Sequence, residues 1–281
     1  MEIHCLDHNK VLSILPDRKS DTHKGDYGKI LLLCGSHGYT GAAELSALGA
    51  LRSGAGLVYL GVPECIYNIE AIKLTEPIVF SLPHENGMLS CDAMEQIMAH
   101  AKQMDAVLIG PGLGISQGTR EIVKTILKQF CGPVVLDADG IKLIAEHKDI
   151  LRERTYPTIL TPHMGEFQAL VGQVDDRLNC AISAARDLGI IIALKGHETI
   201  ITDGYMHYRN NTGNPGMAVG GSGDMLSGMI VSLLGQKIPS LEATAAAVWL
   251  HGATGDICAE QIGEYGMIPS DMLKVLPRLM K

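Results

Sequence analysis

Apolar positions along this chain gather into short unbroken runs: "KILLLCG" (29–35), "GLVYLGV" (56–62), "EPIVFSL" (76–82), "DAVLIGPGLG" (105–114), "PVVLDADG" (133–140), "TILTPH" (158–163) and "GIIIALKG" (189–196). Runs this short, bounded by glycine, proline or an acid, predict strands buried on both faces. Between them the spacing changes to that of helices. "GAAELSALGALRSG" puts Leu45, Leu48 and Leu51 near one face with small residues between them. Ser90 is expected to cap a helix running to about residue 102. Ser116 is expected to cap another, with a stripe of Ile122, Val123, Ile126, Leu127 and Phe130. Residues 177–188 read as helical, and "ETIITDGYMHYRN" (198–210) as a hairpin turning at Asp203-Gly204. From residue 222 onward the pattern is helical, and the Ala- and Gly-rich "EATAAAVWLHGATGDICAEQ" predicts close packing against a neighbour.

Strands alternating with helices predict an α/β fold with a mainly parallel sheet covered on both sides. No proline- or serine-rich linker divides the chain, so one domain spanning 1–281 is expected. Such sheets bind ligands beyond the carboxyl ends of their strands. Chemistry is therefore expected at 35–40, 110–114, 137–140, 161–166, 195–199 and the loop before Met225.

Composition narrows the function classes. A net charge of −8 argues against a nucleic-acid surface, which needs clustered Lys and Arg. No apolar run approaches the ~20 residues of a membrane span, and the N-terminus "MEIHCLDHNK" lacks a secretory pattern. Seven scattered cysteines read as reduced thiols of a cytoplasmic protein, and eleven dispersed histidines form no metal pair.

The strongest local signal is "GNPGMAVGGSGDMLSGM" (213–229), in which six of 17 residues are glycine and Asp224 follows Gly223 directly. Glycines before a helix leave backbone N–H groups free to converge on an anion, and the helix start adds partial positive charge. Gly223 is expected in or near a left-handed conformation, with bare backbone facing phosphate. Asp224 would be held ionised at the helix start and could take a proton from a substrate hydroxyl. A favourable first-turn acid after a flexible loop is the competing explanation. The remaining strand ends are less specific. Lys195-Gly196 with Thr199 could hold a phosphate or form an ordinary turn. His163 and Glu166 could be ligands or a cap. Asp137 and Asp139 could bind Mg²⁺, directly or through water, or simply shape a polar turn. No Walker sequence and no dinucleotide fingerprint occurs.

Taken in order, "KGDYGKILLLCGSHGYTGAAELSALGALRSGAGLV", "DAVLIGPGLG", "VVLDADG", "ILTPHMGEF", "LKGHETII" and "GNPGMAVGGSGDMLSGMI" strongly resemble the NAD(P)H-hydrate dehydratase family of the ribokinase-like superfamily, from about residue 24 to 276. The resemblance implies a three-layer sandwich. It also implies a repair reaction, in which the S epimer of hydrated NADH or NADPH is dehydrated at the expense of ADP, with ATP possible, Mg²⁺ required, and AMP and phosphate released. Carried over position by position, Asp224 is similar to the acid beside the substrate hydroxyl. Ala43, Gly112, Gly114 and His163 match substrate contacts. Lys195, Gly196, His197, Glu198 and Thr199, with Gly223, match nucleotide contacts. His197 and Glu198 depart from the small residues expected there. With about 25 residues ahead of the first strand, the epimerase domain of some family members is expected to be a separate protein. A homotetramer is expected by the same resemblance. The alternatives are a small-molecule alcohol kinase of the same superfamily, such as a thiazole or pyrimidine kinase, and a nucleotide-binding regulator without catalysis.

Overall fold

In the computed structural model, which describes residues 4–281, each apolar run becomes a strand because both of its faces can be covered. The strands are β1 (Lys29–Leu33), β2 (Leu57–Pro63), β3 (Ile78–Leu82), β4 (His84–Glu85), β5 (Met88–Leu89), β6 (Ala106–Ile109), β7 (Val134–Leu136), β8 (Thr158–Leu160), β9 (Ile191–Leu194), β10 (Ile200–Thr202) and β11 (His207–Arg209). The α-helices are α1 (His8–Ile14), α2 (Thr40–Arg52), α3 (Glu64–Lys73), α4 (Met94–Ala101), α5 (Gln117–Gln129), α6 (Asp139–Ile144), α7 (Lys148–Glu153), α8 (Met164–Val171), α9 (Arg177–Leu188), α10 (Ser222–Gly235), α11 (Ser240–Ile262) and α12 (Pro269–Leu279).

Nine strands form one sheet in the order β11-β10-β9-β8-β7-β6-β1-β2-β3. Strands β3 to β9 in that sheet run parallel, and β10 and β11 turn back antiparallel at one edge. Successive residues of β1 enter opposite cores. Ile30 and Leu32 join one cluster with α2, α10, α11 and α12, while Leu31 and Leu33 join the other with α4 to α9. The chain leaves β1 for β2 on one side and later places β6 on the other, so the strand order reverses between β1 and β6. Loops part at that point, which is where an open α/β sheet makes room for ligands.

Three local expectations change. The leucines of α2 are only partly buried, whereas Ala43, Ser46, Ala47, Gly49 and Ala50 face the core. The reason is the α10 backbone: a Cβ on Gly49 would lie 2.5 Å from the Met225 carbonyl oxygen, so nothing larger fits at the crossing. The hairpin of β10 and β11 turns over residues 203–206, not over two residues. Asp203 Oδ1 accepts from the N–H groups of Tyr205 and Met206 and so shapes a wider turn. A second hairpin, β4–β5, turns at Asn86-Gly87, both with positive φ. That two-residue signal is present in the sequence but lies inside a polar stretch with no apolar alternation to draw attention to it.

Candidate active site

The site is assembled where β1, β6, β7, β8 and β9 end and α10 begins. After β6 the chain folds tightly over its neighbours. A Cβ on Gly112, at φ +59, would come within 2.9 Å of the Cβ atoms of both Tyr39 and Ala42. This packs the β6 loop on the start of α2. Ala43 is fully buried there, so its side chain is closed to a ligand and only backbone at the helix start is offered. The N–H of Gly114 donates to Asp139 Oδ2 at 3.0 Å, tying the β6 loop to the β7 loop.

Asp137, buried at the end of β7, accepts from Lys195 Nζ at 2.9 Å and from the Ala138 N–H at 2.9 Å, both through Oδ1. Lys195 lies 58 residues away in sequence, at the end of β9. Burial works against its charge, but the neighbouring Asp137, Glu166 and Asp224 carboxylates outweigh it and raise the ammonium's pKa. The lysine is thus a fixed cation, already paired with an acid.

Gly223 lies beside this pair. A Cβ on it would be 3.2 Å from Lys195 Nζ and 3.9 Å from Asp137 Oδ2. The expected left-handed conformation belongs instead to Gly221, the residue before α10, with φ +92. Gly223 is already helical, and its bare Cα makes room for the Lys195–Asp137 pair.

Asp224 is the third residue of α10 and is partly buried. Loss of solvent pushes its pKa up to about 6. Repulsion from Asp137 adds to this, Lys195 opposes it, and Asp139 adds a smaller push. Desolvation and like charge therefore outweigh the helix-start stabilisation expected from the sequence. The result is an acid poised near neutrality, the range in which a carboxylate can both lose and accept a proton.

His163 caps α8. Its Nδ1 accepts from the Glu166 N–H at 3.2 Å, while Glu166 Oε2 accepts from the His163 N–H at 3.0 Å. The ring is largely exposed, at 60%, so capping and an outward-facing imidazole coexist. In the turn after β9, Thr199 is buried and His197 and Glu198 are exposed. Thr199 Oγ1 donates to the Gly196 carbonyl at 3.0 Å. Every sequence-derived candidate thus sits at this edge of the sheet.

Four supporting side chains were not singled out from the sequence. Ser46 on α2 donates through Oγ to the Asp224 carbonyl at 3.2 Å. Ser222 at the start of α10 lies 3.3 Å from Nε2 of buried His251. Burial, helped by Lys195, lowers that imidazole to about 4, so it is neutral beneath the loop despite hydrogen bonding to Ser222. Cys34, also buried under the site, has its thiol pushed well up, chiefly by burial; a hydrogen bond with Ser46 opposes this, and Asp224 and Asp137 add to it.

The chain is similar to known proteins over nearly its whole length. The bifunctional NAD(P)H-hydrate repair enzyme of Moorella thermoacetica is 41% identical over 277 residues, covering 96% of this chain and 52% of that protein. The chain therefore spans about half the length of several curated relatives it matches. The ADP-dependent (S)-NAD(P)H-hydrate dehydratase of Nitrosopumilus maritimus is 34% identical, covering 96% of this chain and 94% of its own. Among solved structures, a ribokinase-like superfamily protein of Enterococcus faecalis superposes with TM-score 0.87 at 30% identity, covering 99% of this chain and 95% of its own. The ADP/ATP-dependent NAD(P)H-hydrate dehydratase of Bacillus subtilis, co-crystallised with ATP and Mg²⁺, superposes with TM-score 0.85 at 30% identity, covering 99% and 98%. The fold is ribokinase-like. The family profile described as NAD(P)H-hydrate dehydratase matches residues 30–278. That match over most of the chain, together with a relative covered over nearly its full length, shows that this chain belongs to the NAD(P)H-hydrate dehydratase family.

Proposed function

We propose that this protein dehydrates the S epimer of hydrated NADH and NADPH, using ADP and releasing AMP and phosphate. The observation that carries the reading is Asp224, held near pKa 6 at the mouth of the 220–223 glycine loop, beside the Lys195–Asp137 pair. Hydroxide is a poor leaving group at neutral pH. In this reading Asp224 accepts the proton of the ring hydroxyl, and the hydroxyl oxygen takes the terminal phosphoryl group as AMP departs. Phosphate then leaves the ring carbon as a proton is lost from the adjacent carbon, which restores the double bond. The loop before α10 supports the transferring group with backbone N–H donors and the helix start. The turn at Lys195, Gly196, His197, Glu198 and Thr199, with Gly223, holds the nucleotide. The Gly112–Gly114 loop, the start of α2 at Ala43, and His163 face the nicotinamide substrate.

Among the described residues no three His, Cys, Asp or Glu side chains cluster as a protein-only metal cage. The site does fit Mg²⁺ held by one or two carboxylates and completed by phosphates and water. Asp137, whose Oδ2 faces Gly223, would hold it. Bound there, Mg²⁺ would offset charge on the phosphates. The reading also includes a homotetramer and a cytoplasmic location, with an epimerase supplying the S epimer. Among the described residues no helix is long and apolar enough to cross a membrane.

The test is recovery of reduced-nicotinamide absorbance from hydrated NADH, with ADP and ATP compared side by side and products identified by mass. Regenerated NADH with AMP and free phosphate is the expected result. A stable phosphoester, or no turnover of hydrated NADH, would overturn the reading, and the phosphoester would instead identify an alcohol kinase.

A further inference from the structure

The turn between β9 and β10 contains a conformational anomaly. Gly196 has φ +150 and Glu198 has φ +54, both where L side chains are disfavoured. Glycine tolerates this, but glutamate persists there only when its surroundings hold it. Two arginines supply that hold. Arg177, the first residue of α9, donates through Nη1 to the His197 carbonyl at 2.9 Å. Its Nη2 lies 2.9 Å from where a Cβ on Gly196 would sit, so the guanidinium lies against the turn and only glycine leaves it room. Arg177 Nε and Nη2 are sealed from solvent with no hydrogen-bond partner. Buried donors left unpaired are exceptions; among the described residues, the bond to the His197 carbonyl is the hydrogen bond this guanidinium makes. From the other side, Arg209 Nη1 lies 3.4 Å from Glu198 Oε2. The N–H of Asn210 donates to the Thr199 carbonyl at 2.9 Å and ties the end of the turn to the segment after β11.

We propose that Arg177 is a positioning residue for the nucleotide. It fixes the His197 carbonyl and, with Arg209 holding Glu198, keeps the 196–199 backbone in the conformation that receives the nucleotide. The brace takes over what a glycine at position 198 would achieve by itself. This rests on the reading that the turn binds the nucleotide.

The experiment compares Arg177→Ala, Arg177→Lys, His197→Ala and the double variant Arg177→Ala with Glu198→Gly. ADP affinity is measured by calorimetry, and kcat and both KM values by NADH recovery. Arg177→Ala should weaken ADP about tenfold or more, the scale of one lost charge-assisted hydrogen bond. Its kcat at saturating ADP and its KM for hydrated NADH should stay within about twofold of wild type. Adding Glu198→Gly should restore most of the affinity, because without a Cβ the left-handed conformation at 198 no longer carries a steric cost that the brace must offset. His197→Ala should change ADP affinity only a few-fold, since in the proposal this residue serves the nucleotide through its backbone and its ring is exposed. ADP affinity within about twofold of wild type in Arg177→Ala, parallel loss of kcat and of both KM values, or no recovery with Glu198→Gly would overturn the proposal. If Arg177→Ala does not melt cooperatively, Arg177→Lys decides: it lacks the planar fork and should weaken ADP at least about threefold, and wild-type affinity would overturn the brace. A wild-type protein that binds ADP but does not convert hydrated NADH would overturn the proposed reaction and leave the brace to be judged on ADP affinity alone.

Discussion

In the proposed reaction Asp224 is the base, and its surroundings predict both its rate and its pH behaviour. Only the ionised form accepts a proton, so kcat/KM should rise with pH through about 6, the value to which burial and Asp137 push it. Asp224→Asn keeps the shape and removes the base, with an expected loss of about 10²–10⁴ in kcat. ADP binding, measured separately by calorimetry, should persist. Stability should not suffer. The folded pKa lies above the ordinary 3.8, so the favourable contribution of this group is complete below that value and is lost as pH rises through about 6. Above that range the variant should melt at or above the wild-type temperature. Retention of more than about a tenth of wild-type kcat would place the base elsewhere. The place of Asp224 at a helix start beside a glycine loop was legible in the sequence. Its poised pKa was not, because that depends on Asp137 and Lys195, which only the sheet brings together.

The crossing of α2 and α10 aims the start of α10. A Cβ on Gly228 would lie 2.1 Å from the Ser46 carbonyl oxygen, and one on Gly49 would lie 2.5 Å from that of Met225. The two backbones therefore touch without side chains between them, and Ser46 Oγ reaches the Asp224 carbonyl at 3.2 Å. Gly228→Ala should cost about 1–3 kcal/mol by forcing the helices apart, and it should lower kcat because Asp224 moves with its helix. Thermal melting with Gly220→Ala as reference checks this, since a Cβ on Gly220 meets nothing within 4 Å. Equal melting of the two variants would show that the crossing is not closely packed. Helical periodicity located both helices but did not say which face of α2 meets α10. Leu45, Leu48 and Leu51 formed the visible stripe, while the small residues between them make the contact. Size complementarity between two segments far apart in the chain leaves no local period to read.

At the scale of the whole molecule, the alternation of strands and helices was legible because every central strand is apolar on both faces, and only a sheet with two covered faces buries such segments. What could not be read is a carboxyl group sealed inside one layer. Glu70 on α3 is 0% exposed, and among the described residues neither of its oxygens has a hydrogen-bond partner. Burial raises its pKa from the ordinary 4.5 to about 7; Lys73 opposes the shift and Glu44 adds to it. A raised carboxyl favours the folded state only while protonated. That contribution is complete below about pH 4.5 and disappears as pH rises through about 7. Neutral His251 works in the opposite direction, since its lowered pKa favours the folded state above 6.5 and that contribution is lost as pH falls toward about 4. Comparing the wild type with Glu70→Gln cancels the histidine, because both proteins carry it. Between pH 5.5 and 8.5 the wild type should lose about 2 kcal/mol of stability relative to Glu70→Gln. Urea unfolding at the two pH values measures this difference directly. A difference that stays constant with pH would mean that Glu70 titrates as an ordinary surface acid and that water or Lys73 reaches it in solution.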